Sequence, residues 1–200
     1  MFTFAKNRMN IQSMDKREKI LQTVMEEIAQ EGVNGSPMSQ IAKKSGVATG
    51  TIYHHFKSKE EIINEIFSTI RKKLKGVIDT VKAKKPAFKE EFEQVWLGFY
   101  HHFVAHPLEF KFMQQVDNTP IITEQTYLES GQYLLPVFEF YQKGIEEGLL
   151  EDRDVTVLGY LTYDNIMTMV NLKLQGLDIT DTLLQQALDY CWSGLIKKQT

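Results

Sequence analysis

Apolar residues recur at steps of three and four along almost the whole chain, and that recurrence leaves little room for any architecture but packed helices. Ile62, Ile63, Ile66, Phe67, Ile70 and Leu74 put one apolar stripe on a long helix of about 59–81. Ile20, Leu21, Val24, Met25, Ile28 and Ala29 repeat the pattern over 15–31, where Gly32 supplies the stop. Proline and glycine are scarce, 5 and 12 in 200 residues, which argues against a turn-rich β architecture. No strand alternation, internal repeat or low-complexity tract interrupts the helical period, so the predicted fold class is all-α.

Punctuation between the helices divides the chain. Ser36 and Pro37 read as an N-cap followed by proline at the first helical position, opening a short helix of about 37–44. A second short helix is expected over 48–55, and Ser58 with Glu61 fits a capping box for the long helix. On that helix Arg71, Lys72, Lys73 and Lys75 read as a solvated run, and Lys84, Lys85 and Pro86 mark its break. Phe88, Phe92, Val95, Trp96, Phe99, Tyr100 and Phe103 trace the next helix, which ends at His106 and Pro107; a shorter one follows over 108–117. Pro120 and Gly131 bracket a looser segment. A further helix runs to Gly144–Gly148, kinked or started by Pro136. Two last helices cover about 154–174 and 180–198. The expected organisation is a tail over 1–14, a helix-turn-helix domain over 15–62 linked by the long helix to about 81, and a helical bundle over 82–200.

Composition limits the function classes. One cysteine, Cys191, excludes an intramolecular disulfide framework and a cysteine zinc knuckle, and fits a core residue in a reducing compartment. No apolar run reaches the length of a membrane span, and residues 1–14 lack the apolar region of a secretory signal, so a cytoplasmic protein with no membrane partner is expected. Met9 and Met14 leave the start of translation open. Residues 1–75 carry 13 Lys and Arg against 8 Asp and Glu, whereas 76–200 carry 10 against 18. A basic head on an acidic body suggests that the head meets a polyanion.

The stretch from Ser39 to Ile62 carries the chemistry. Two short helices joined through Gly46 outline a helix-turn-helix. Ala42 is small where the helices must approach, Gly46 is free to take positive φ in the turn, and Ile41, Val47 and Ile52 point inward. Thr49, Gly50 and Thr51 then sit at the leading end of the second helix, the end that enters a major groove. Tyr53, His54 and His55 have donors for phosphates one turn on, Lys57 and Lys59 can neutralise flanking phosphates, and Ser39 can bond another.

These residues resemble a known family. Ile41-Ala42, Gly46-Val47, the run from Gly50 to Phe56 and the run from Lys57 to Glu61 are similar to the N-terminal domain of the TetR family of bacterial transcriptional regulators, over about a quarter of the chain. The resemblance implies DNA contacts at Thr49, Thr51, Tyr53, His54, His55 and Lys59, with Tyr53 and Lys59 on phosphates and Thr49 and Gly50 nearest the bases. Ala48 departs from the pattern, because many relatives carry an N-capping serine there; Thr49 is able to cap instead, which would divert it from base contact.

The resemblance further implies a homodimer formed through the last two helices, a palindromic double-stranded DNA operator and a small-molecule effector. The apolar residues Val157, Leu158, Leu161, Ile166 and Val170, and Leu183, Leu184, Leu188 and Leu195, suit a four-helix interface. Trp96, Tyr100, Phe103, Met113, Tyr133, Tyr163 and Met167 are the candidate ligand-lining residues, with Asn165 or Asp164 as polar handles; core packing is the competing reading of each. His102 and His106 stand one turn apart with His101 and Glu109 near, a spacing that fits a metal but also a helix end, and no metal or cofactor is expected. No catalytic motif is present, so an enzyme is not expected. The expectation is a DNA-binding repressor released from its operator by a small apolar or amphipathic effector. The alternative is a helical small-molecule-binding protein or enzyme with a vestigial DNA-binding head.

Overall fold

A computed structural model describes residues 15–197. Among them lie ten helices: α1 (Lys16–Glu31), α2 (Met38–Ser45), α3 (Thr49–His55), α4 (Lys59–Lys82), α5 (Phe88–Ala105), α6 (Pro107–Val116), α7 (Glu124–Gly131), α8 (Leu135–Glu146), α9 (Val155–Leu174) and α10 (Asp181–Ser193). The expected tail over 1–14 lies outside the described residues. The chain forms two compact units, 15–69 with 111–127 and 70–110 with 128–197, and α4, α6 and α7 each contribute to both.

The first unit is built on α1. Asp15 caps it, accepting from the Glu18 amide while Glu18 bonds back to the Asp15 amide, a box hidden in the polar run before the stripe. Ile20, Val24 and Ile28 of α1, Ile41 of α2 and Ile52 of α3 are fully buried, so three short helices share one small core. Gly46 ends α2 in the left-handed region at φ 67° and turns the chain into α3. The expected cap at Ser36 is not formed. Its buried hydroxyl donates back to the Gly32 carbonyl, Pro37 holds the N-cap position instead, and α2 begins at Met38.

Asn64 of α4 fastens the segment after α6. Its amide nitrogen donates to the Glu60 and Ile121 carbonyls at 2.7 and 2.8 Å, and its oxygen accepts from the Thr123 amide at 2.9 Å. The segment read as loose contains α7, which begins with Thr123 accepting from the Thr126 amide. The signal was a threonine cap followed by Glu124 in the first turn.

The second unit packs α5 against α9, with α8 and α10 on α9. Pro136 lies in the first turn of α8 and starts it. Helix α10 stops at Ser193, short of the expected 198, because Leu195 and Lys197 turn back to pair with Glu151 and Leu149. The cations of α4 are not a uniformly solvated run. Arg71 is buried, with its guanidinium 3.3 Å from the Ser130 hydroxyl, and Lys73 pairs with the buried Glu109. Arg71 follows Ile70 and precedes Leu74, so it falls on the flank of the apolar stripe and its stem is covered.

Candidate nucleic-acid interface

The outer face of α3 is assembled by burying the opposite one. Ile52 and Phe56 enter the head core, which leaves Thr49, Gly50, Tyr53, His54 and His55 on the surface. Thr51 sits on the flank and is half-buried. Ala48 is the N-cap and offers no side-chain bond; Thr49 is the first helical residue rather than the substitute cap, which leaves its hydroxyl outward. A Cβ added to Gly50 would meet nothing within 4 Å, so the protein's own packing does not require glycine there. His54 and His55 lie ring to ring at 5.6 Å.

Ser39 is exposed on the first turn of α2, and Lys57 is exposed between α3 and α4. Half of the expected capping box at the start of α4 forms. Ser58 accepts from the Glu61 amide, but the Glu61 carboxylate takes the Lys57 amide, one residue further back. Lys59 is half-buried and its ammonium donates to the Val33 carbonyl, which ties the start of α4 to the α1–α2 turn. Burial pushes this ammonium below the usual lysine range, with the neighbouring Glu60 partly offsetting the shift.

Two supports of the face were missed in the sequence. Arg17 pairs with Glu65 and lies 5.0 Å over the Phe56 ring, joining the start of α1 to the end of α3. Glu27, 1% exposed, accepts from both Gln40 and Lys44 of α2. Arg17 precedes the apolar stripe of α1 and left no signal; Glu27 falls on the stripe, three residues after Val24, where its charge masked a buried position.

In the second unit the structure gathers part of the candidate ligand set. Trp96 is buried, stacks on Tyr100 at 6.1 Å and donates its indole N–H to Asn165 at 3.1 Å; Phe103 meets Tyr163 edge-on at 6.4 Å. Burial also raises the Tyr100 phenol above its ordinary range. Tyr133 and Met167 are half-buried, Asp164 is exposed, and Met113 is buried in the first unit. His102 bonds the Glu109 carboxylate at 2.9 Å, and His106 bonds the His102 carbonyl at 2.8 Å. Among the described residues no group of three or more His, Cys, Asp or Glu is arranged to hold a metal, and no helix is long and apolar enough to cross a membrane. Helices α9 and α10 leave large apolar side chains outside: Val157, Tyr160, Leu161 and Leu183 are 40–63% exposed and Tyr190 79%.

Residues 20–66 match the family described as bacterial regulatory proteins, tetR family, and residues 87–196 match a tetracyclin repressor-like C-terminal domain. An uncharacterized HTH-type transcriptional regulator of Haemophilus influenzae is 24% identical over 192 residues, covering 92% of this chain and 97% of its own length. The crystal structure of a TetR-family transcription regulator from Shewanella sp. PV-4 superimposes with a TM-score of 0.85 at 20% identity, over 92% of this chain and all of that one. The transcriptional regulator FadR from Bacillus subtilis, solved in complex with stearoyl-CoA, has a TM-score of 0.70 at 24% identity, over 88% of this chain and 98% of that one.

Proposed function

The chain belongs to the TetR family of bacterial regulatory proteins and is a DNA-binding transcriptional regulator, and we propose that it acts as a cytoplasmic homodimeric repressor of a palindromic operator. The observation that carries this reading is the division of α3: Ile52 and Phe56 inside, Thr49, Gly50, Tyr53, His54 and His55 outside. In this proposal Thr49, Gly50 and the flanking Thr51 meet base edges. Tyr53, His54, His55, Lys57, Lys59 and Ser39 hold phosphates.

A helix that is apolar on its outer as well as its inner face needs a second surface to cover it. Leu158, Thr162, Ile166 and Val170 of α9 face its own unit, while Val157, Tyr160 and Leu161 do not. On α10, Leu183, Ala187 and Tyr190 continue an outer stripe at helical spacing. These faces support dimerisation through α9 and α10, which gives two recognition helices for two half-sites.

The aromatic cluster of Trp96, Tyr100, Phe103 and Tyr163 supports an apolar or amphipathic effector, as does a relative of the same fold solved with stearoyl-CoA. Binding that favours a conformation with a different head spacing moves the population off DNA, with α4 as the lever between effector and head. The outward polar face of α3 argues against a vestigial head. Sedimentation and DNA binding test the reading together. Leu161→Glu is expected to yield a folded monomer that has lost operator binding; a variant that remains dimeric and binds as before would refute the α9–α10 interface.

A further inference from the structure

Glu27 is a carboxylate where the period of α1 calls for an apolar side chain. It follows Val24 by three residues, adjoins Ile28, and is 1% exposed within the buried stripe of the head. Both its oxygens are used. One accepts from the Gln40 amide and the other from the Lys44 ammonium, two residues one turn apart on α2. A buried ion pair is weak evidence for stability, since an apolar replacement often holds a core at least as well. What it adds is direction: two bonds of fixed geometry oppose both rotation of α2 about its axis and sliding along α1, which side chains packed only by shape resist less sharply.

Resting on the DNA-binding reading above, we infer that Glu27 is a positioning residue for operator recognition: through Gln40 and Lys44 it sets the register of α2, and with it α3, and it keeps the Lys44 charge off the phosphates. Helix α2 carries Ser39 beside Gln40 and hands the chain to α3 through Gly46, so its rotation is passed to the reading face. The Lys44 side chain is 47% exposed, and without Glu27 it would be one more cation for any DNA sequence.

The experiment uses the full chain, an operator duplex selected with the wild-type protein and a non-operator duplex of equal length. Thermal melting and fluorescence anisotropy across a salt series are recorded for wild type, Glu27→Gln and the apolar triple variant Glu27→Leu/Gln40→Leu/Lys44→Met. The triple variant is expected to melt within a few degrees of wild type and to lose about tenfold in operator affinity, one mismatched base pair's worth. Its non-operator affinity and salt slope are expected to stay unchanged. Glu27→Gln keeps the shape but frees the Lys44 charge, so it is expected to lower the ratio of operator to non-operator affinity by raising non-operator binding and steepening the salt slope. Operator affinity equal to wild type in the triple variant would overturn the inference. So would losses on both duplexes with a flatter slope, which would make Lys44 a phosphate contact, and so would unfolding of both variants, which would make Glu27 a source of stability. A wild-type protein that does not distinguish the two duplexes would instead refute the DNA-binding reading itself.

Discussion

Replacing Lys59 by methionine keeps the stem of the side chain and removes its charge. In the structure the ammonium is not a mobile surface cation: one N–H is held by the Val33 carbonyl, which leaves two donors for a phosphate. Burial has already depressed its pKa, so part of its hydration is gone before DNA arrives. Each phosphate neutralised contributes about 0.9 to the slope of log affinity against log salt. Two copies in a dimer contribute about 1.8, and over a fourfold rise in salt, from roughly 50 to 200 mM, that amounts to about 12-fold. Anisotropy with a labelled operator across that range should therefore show wild type losing about 12-fold more affinity than Lys59→Met. The variant should also bind operator and non-operator duplexes more weakly by a common factor. A variant slope equal to wild type, with only a lower melting temperature, would rule out a phosphate contact and reduce Lys59 to a tie for the α1–α2 turn.

Other perturbations test other parts of the account. Asn64→Ala deletes the bonds to Ile121 and Thr123, each worth about 1 kcal/mol, so urea unfolding should show a loss of about 2 kcal/mol, with faster hydrogen exchange at the Thr123 amide. Gly76 is exposed in the middle of α4, and a Cβ there would meet nothing within 4 Å; Gly76→Ala should stabilise by about 0.5–1 kcal/mol, read as a rise in melting temperature. At Glu109 burial acts to raise the carboxyl pKa, but the bonds from His102 and Lys73 outweigh it and hold the group below its ordinary range. A depressed folded pKa gives stability that is fully present above the unfolded value, about 4.3, and is lost as pH falls through the folded one. Glu109→Gln should therefore be less stable than wild type at neutral pH, with the gap closing in acid, as melting measured across pH would record.

The elements were legible where one physical signal decided them. The period of α1 and α4, the positive φ at Gly46 and the start of α8 at Pro136 each follow from the residue present. The outward face of α3 follows from the inward placement of Ile52 and Phe56. What escaped was charge inside. A pattern that credits every Arg, Lys and Glu to solvent places Arg71 and Glu27 on the surface, yet both are buried because a partner lies on a different helix, and such partners are set by packing between elements. Helix α7 escaped for a different reason: it is only eight residues long and sits between Pro120 and Gly131, so turn signals outweighed a short period. Of the two polar handles, Asn165 accepts from the Trp96 indole, whereas Asp164, one residue earlier on α9, is exposed.

Selection of bound duplexes from a random pool tests the central claim, that the outer face of α3 reads DNA as one of a symmetric pair. The account predicts enrichment of an inverted repeat whose half-site centres lie about 10–10.5 base pairs apart, or a multiple of that spacing, with Thr49→Ala changing the preferred bases within each half-site. A pool that stays random at low ionic strength, or an enriched site whose bases are indifferent to residue 49, would contradict it.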